Sequence, residues 1–177
     1  MLALPLVLVG FTSDDGKKPT VLPSLAPPAA SPSSVPVPSV PPEASAETAQ
    51  GAAAFARFYF QDVVNGAYVS GVTNPVAALS DDACNSCKNI IGDVERLAAA
   101  GRKVEGRRFN VQFAEAAPPG PDGKFIVDVR YTADRYLEVD TQGSVVRDVA
   151  AQVKDAQVLL IRDTGGWLIG GIQTVAT

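Results

Sequence analysis

The 177-residue sequence predicts an α+β domain, with N-terminal helices packed on one face of a curved antiparallel sheet. Three observations carry that prediction. Apolar residues recur at three- and four-residue spacing in the stretch after residue 46. From Phe109 onward they alternate with polar residues at a period of two. Glycine-containing turns separate the alternating stretches. Helices segregated ahead of strands indicate helices on one sheet face.

The first helix is expected from about Ala49 to Ser70. Thr48 stands at its cap position, and Phe55, Phe58, Tyr59, Val63 and Ala67 form one apolar stripe. Gly71 ends it. A helical turn is expected at Pro75 to Leu79, with proline at an early position. The next long helix is expected after Ser80-Asp81-Asp82, where acidic side chains suit the positive end of the helix dipole, and runs to about Ala100. Ile90, Ile91, Val94, Leu97 and Ala98 make its buried face, and Gly101 closes it.

Phe109, Val111 and Phe113 alternate with Asn110 and Gln112. Pro118 to Gly123 reads as a loop. Phe125, Val127, Val129 and Tyr131 then alternate with Ile126, Asp128, Arg130 and Thr132. A short strand is expected at Tyr136 to Val139, followed by a turn at Thr141-Gln142-Gly143. Val158 to Arg162 and Trp167 to Val175 form a hairpin across Thr164-Gly165-Gly166.

Ahead of the domain, assigned to residues 47–177, two segments differ in kind. Residues 1–11 hold the apolar run Leu2 to Val9, which has the length of a signal-peptide core and is too short to span a bilayer. Leu8-Val9-Gly10 resembles the first three positions of a bacterial lipobox, but Phe11 stands where the lipid-bearing cysteine belongs. The run thus argues for export and only weakly for a membrane tether at the N-terminus. Residues 12–46 are rich in Pro, Ser and Ala, with nine prolines between Pro19 and Pro42. Proline fixes φ and removes amide donors, so this segment is expected to be a disordered, extended tether, with residues 19–47 reaching on the order of 90 Å.

Composition narrows function. The chain has no histidine, which excludes a Ser-His-Asp or Cys-His arrangement and a histidine zinc site within this sequence. Two cysteines cannot supply the usual four zinc ligands, so no metal and no cofactor is expected. A net charge of −4 offers no global attraction to nucleic acid.

Two stretches carry a resemblance. One is Gly51-Ala-Ala-Ala-Phe-Ala-Arg-Phe-Tyr-Phe-Gln-Asp-Val-Val-Asn-Gly-Ala-Tyr-Val-Ser-Gly71. The other is Leu79-Ser-Asp-Asp-Ala-Cys-Asn-Ser-Cys-Lys, with its following helix ending in Ala-Gly-Arg-Lys-Val-Glu-Gly106. Together they resemble an uncharacterised family of actinobacterial lipoprotein-like proteins. The order of three helices and then a sheet is similar to the cone fold named after nuclear transport factor 2. The resemblance covers roughly residues 45–175 and implies no catalytic assignment.

Four groups of residues are weighed as sites. Cys84 and Cys87 form a C-x-x-C, for which a structural disulfide is the default in an exported chain. The alternatives are a redox-active pair and reduced thiols, the first opposed by the adjacent Asp81 and Asp82, whose charge raises a thiol pKa. Arg102, Lys103, Arg107 and Arg108 cluster at a helix-to-strand turn and read either as a contact for an anionic surface or as a solvated turn. Phe55, Tyr59, Tyr68, Tyr131 and Trp167 read as core or as the lining of a cone pocket. Asp128, Arg130, Asp134, Arg135, Glu138 and Asp140 read as exposed cross-strand ion pairs, or as the source of a catalytic carboxylate. The expectation is a non-enzymatic envelope domain that binds a partner protein or small ligand. The alternative is a small cone-fold enzyme using a pocket carboxylate and a tyrosine.

Overall fold

Seven strands and five α-helices make up the described part of the protein, whose structure is a computed structural model describing residues 36–175. The apolar run, the lipobox-like residues and positions 12–35 of the expected tether lie outside the described residues. Among the described residues no helix is long and apolar enough to cross a membrane.

The domain begins earlier than the sequence suggests. Helix α1, Pro42–Ser45, buries Ala44, and Val40 packs against the core. Trp167 donates its indole N–H to the Ala46 carbonyl at 3.2 Å, and Arg162 pairs with Glu47 at 2.7 Å. These contacts correct the expectation that the tether extends through residue 46. Proline limits regular structure, but it fits the first turn of a helix, where no amide donor is needed.

Helix α2, Ala49–Phe58, is capped by Thr48, whose hydroxyl accepts from the Gly51 N–H at 3.0 Å. It runs without a break into a π-helical segment, Tyr59–Val64, and then into α3, Asn65–Ser70, which ends at Gly71 with φ +74°. The wider π turn adds a residue to the helix and rotates α3 about the common axis. Adjacent pairs, Tyr59 with Phe60 and Val63 with Val64, are therefore all buried, which one regular stripe would not allow. Helix α4, Asn74–Ala78, leads to α5, Asn85–Ala99. Helix α5 starts at Asn85, capped by Cys84, rather than directly after Asp82: the Asp81 carboxylate instead accepts from the Ala83 N–H at 2.8 Å in the preceding turn.

The strands are β1 Lys103–Glu105, β2 Asn110–Ala116, β3 Phe125–Ala133, β4 Tyr136–Val139, β5 Val145–Val149, β6 Gln152–Asp163 and β7 Gly166–Val175. They form a four-stranded antiparallel sheet in the order β2-β3-β6-β7 and a three-stranded one in the order β1-β4-β5. The second sheet is the tip of a long hairpin. Strands β3 and β6 pair in its body, and β4 and β5 pair beyond breaks at residues 134–135 and 150–151. Those breaks produce the curvature. Strands β1 and β5, and the first part of β6, exceed what alternation predicted.

Strand β3 alternates as expected: Phe125, Val127, Val129 and Tyr131 are buried with the helices, while Ile126, Asp128 and Arg130 face outward. Arg130 makes a bidentate pair with Asp155, and Asp128 accepts from Gln157 at 3.1 Å. Arg135 pairs likewise with Asp148. Glu138 departs from that pattern and is buried. The outer edge of β7 is covered by a parallel bridge from Ser80 to Ile169 and by the Ser86 hydroxyl, which accepts from the Ile172 N–H at 2.8 Å. This cover removes an open edge that could pair with another chain.

Candidate functional site at the mouth of the cone

Asn65 is the residue from which the site is built. In the π turn the Asn65 amide pairs with the carbonyls of Phe60 and Asp62, which leaves the Gln61 carbonyl between them free of it. The Asn65 side chain takes that carbonyl at 3.0 Å and also donates to the Phe109 carbonyl at 2.8 Å. Its own carbonyl accepts from the N–H groups of Arg108 and Phe109, at 3.0 and 2.9 Å. One buried amide thereby fixes the backbone entering β2.

That fixing sets four aromatic rings. Phe60 stacks on Tyr131 with centroids 5.5 Å apart, Phe109 lies edge-on to Tyr131 at 5.3 Å, and Tyr68 lies 6.2 Å from Phe109. They floor a hollow of about 450 Å³ between α5 and the inner side of β7, walled by Asn89, Ile90, Asp93, Ile172 and Thr174. Burial pushes the hydroxyls of Tyr68 and Tyr131 above the ordinary tyrosine range, with Arg108 partly opposing the shift. Both are therefore neutral at physiological pH.

Arg108 stands at the rim. Its guanidinium lies 4.1 Å from the Tyr68 ring centroid and 5.1 Å from that of Tyr136. Asp93 accepts from the Tyr68 hydroxyl at 3.2 Å, lies 3.6 Å from Arg108 and pairs with Arg96 at 2.6 Å. Past this knot the hollow continues into a second one of about 310 Å³, lined by Leu97, Arg102, Tyr136, Glu138 and Arg147. Glu138 lies 3.2 Å from Arg147 and 4.0 Å from Arg102.

The structure divides the expected pocket residues. Tyr68 and Tyr131 line the mouth. Phe55 and Trp167 line a separate hollow of about 240 Å³ beside Arg162, with Trp167 edge-on to Phe125 at 5.3 Å. Tyr59 sits in the core between them, its hydroxyl 3.0 Å from that of Ser80, and burial pushes its pKa up to about 12 against that hydrogen bond. The five aromatics thus do not converge on one pocket. The basic cluster divides too: Arg108 and Arg102 face the two hollows, while Lys103 and Arg107 are exposed and line neither.

Cys84 and Cys87 are joined in a disulfide across the first turn of α5, with both residues buried. The Cys84 sulfur also accepts from the Cys87 N–H at 3.2 Å. Among the described residues no cluster of three or more histidine, cysteine or acidic side chains is placed to hold a metal.

Residues the sequence did not single out are Asn65, Asp93, Arg96 and Arg147. Asp93 and Arg96 lie three apart on a helix, a spacing that was legible. Asn65 was marked only by being polar on an apolar helix face. Nothing local links Arg147 to the site, because strand pairing brings it there.

The fold is similar to that of the intermembrane space region of the chloroplast protein ARC6, with a TM-score of 0.58 and 12% identity over 73% of this chain and 98% of that one. Two bacterial structures also match. One is an uncharacterised protein with a cystatin-like fold from Caulobacter vibrioides (TM-score 0.43, 14% identity, 71% of this chain and 89% of that one). The other is described as a calcium/calmodulin dependent protein kinase II association domain from Xanthomonas campestris (TM-score 0.41, 18% identity, 73% and 88%). The observed architecture, helices followed by an antiparallel sheet, is the α+β class that the sequence predicts. No curated protein matches the chain. The model of DUF6318, a family of unknown function, matches residues 26–173, and the chain belongs to that family.

Proposed function

We propose that this protein is an exported, lipoprotein-like, non-enzymatic binding module of the cell envelope, carried on a proline-rich tether, and that it takes a small ligand into the mouth of its cone. The observation that carries the reading is the hollow at that mouth. Its volume of about 450 Å³ suits a small molecule. Its floor is aromatic, and a few fixed polar groups ring it, as a site that orients a ligand requires. The charged side chains at the rim are tied to one another: Asp93 serves Tyr68, Arg96 and Arg108 together. A carboxylate so held acts as a structural counter-ion.

Export is supported by the Leu2 to Val9 run and the proline-rich segment after it. The Cys84–Cys87 disulfide, characteristic of oxidising compartments, adds weak support.

Titration of the isotope-labelled full-length protein with fractionated envelope extract tests the reading. Amide shifts concentrated at Tyr68, Phe109, Tyr131 and Ile172 are expected. Shifts confined to the outward sheet face around Ile126 and Arg130, or no saturable shifts, would refute it. Location is checked by cell fractionation with thiol labelling, which should find the protein in the envelope with no reactive thiol.

A further inference from the structure

Four guanidiniums and two carboxylates line the second hollow. Arg96, Arg102, Arg108 and Arg147 stand against Asp93 and Glu138, an excess of two positive charges on a chain whose net charge is −4. Each arginine carries about five N–H donors and each carboxylate about four acceptor sites, so donors outnumber internal acceptors by more than two to one. The ion pairs reflect that shortage. Asp93 is shared by Arg96 and Arg108, and Glu138 by Arg147 and Arg102, the last at 4.0 Å.

The two carboxylates hold the guanidiniums together without neutralising them. Arg108 is fixed further by the rings of Tyr68 and Tyr136, and only 21% of its side chain is exposed. A guanidinium held in place in this way has lost its conformational entropy before a ligand arrives. Asp93, Arg96 and Arg108 belong to both hollows, so a ligand can lie across them, one part on the aromatic floor and one among the arginines.

We infer that the ligand is a small organic phosphate monoester, its dianionic phosphoryl group held by Arg96, Arg102, Arg108 and Arg147 and its apolar or aromatic body lying against Tyr68, Phe109 and Tyr131. This inference rests on the reading of the cone mouth as a ligand site and specifies its chemistry. The double negative charge matches the excess of two positive charges. Planar guanidiniums pair with phosphoryl oxygens two bonds at a time. The proposal is binding alone, with no bond made or broken.

Phenyl phosphate, inorganic phosphate and benzyl alcohol are the probes, each titrated into the labelled full-length protein at low salt. Phenyl phosphate should shift the Arg102, Arg108 and Tyr136 amides together with Tyr131, and bind more tightly than either of the others. Arg96→Gln alters an exposed side chain and leaves the fold intact; it should weaken phenyl phosphate about fivefold, the effect of one charge across a partly solvated hollow. Glu138→Gln keeps an acceptor for Arg147 while removing a negative charge, and should tighten binding by a similar factor. Opposite signs in the two variants separate an electrostatic site from general destabilisation.

Equal affinity for phenyl phosphate in the wild type and both variants would overturn the inference. So would preferential binding to phosphatidylglycerol vesicles, which would make the basic lining a membrane contact. Benzyl alcohol shifting Tyr131 and Ile172 with no added effect of phosphate would overturn the anion assignment alone and leave the cone mouth as a ligand site. Silence from all three probes would also overturn it, and the envelope-extract titration then decides the broader reading independently.

Discussion

Replacing Asn65 with alanine should be among the most damaging single changes in the domain. The side chain makes four hydrogen bonds, between 2.8 and 3.0 Å, to the backbone at Gln61, Arg108 and Phe109. Alanine removes all four without removing the groups they satisfied. The N–H and C=O of Phe109 are buried, and a buried backbone group left unpaired costs about 1–3 kcal/mol. Two such groups give about 4 kcal/mol, a large share of the roughly 5–15 kcal/mol that stabilises a domain.

The assay is equilibrium urea unfolding followed by the fluorescence of Trp167, the single tryptophan, which is 3% exposed in the folded domain. With a slope of about 2 kcal/mol per molar urea, the midpoint should fall by about 2 M. Asn65→Asp should do no better, because it keeps the acceptor but replaces the donating nitrogen with an oxygen that faces two carbonyls. Gln112→Ala, which removes an exposed bond to Thr132, is the control and should move stability by no more than about 0.5 kcal/mol. A midpoint shift in Asn65→Ala no larger than the control's would show that the β2 entrance is held by the ring packing, and the reasoning would fail.

Gly51→Ala should destabilise the domain although alanine is the better helix former, because its Cβ would come within 2.0 Å of the Ala46 carbonyl oxygen. A loss of about 1–3 kcal/mol in thermal unfolding, with easier proteolysis ahead of residue 47, is expected; a gain in stability would refute the clash. The double variant Cys84→Ala/Cys87→Ala should still fold and lose about 2 kcal/mol, the loop-entropy value for about four residues, so failure to fold would mean that the bond is a folding requirement. Alkaline pH should destabilise the protein. The folded-state pKa of Tyr59 is raised from 10.0 to about 12, so its contribution is complete below pH 10 and is lost as pH climbs toward 12. That window corresponds to about 3 kcal/mol, and Tyr59→Phe should flatten the decline in urea midpoint across it.

What the sequence determined by itself was whatever local periodicity encodes. Alternation along Phe125 to Tyr131 assigned each side chain to its face, and with it the outward position of Asp128 and Arg130. The stripe from Phe55 to Ala67 identified the core helix, and the spacing of Cys84 and Cys87 put two sulfurs within bonding reach on one helical turn. Exclusion of histidine chemistry needed composition alone. The tertiary structure decided what depends on which distant segments meet. The π turn at Tyr59–Val64 leaves no periodic signature beyond one extra residue, yet it frees the carbonyl that Asn65 takes and so sets the entrance to β2. The breaks in the long hairpin bring Glu138 and Arg147 beside Arg102. Charge attracts over distance with little regard to sequence order, so a cleft built from α5, the β2 entrance and the hairpin tip forms only when the chain closes around it.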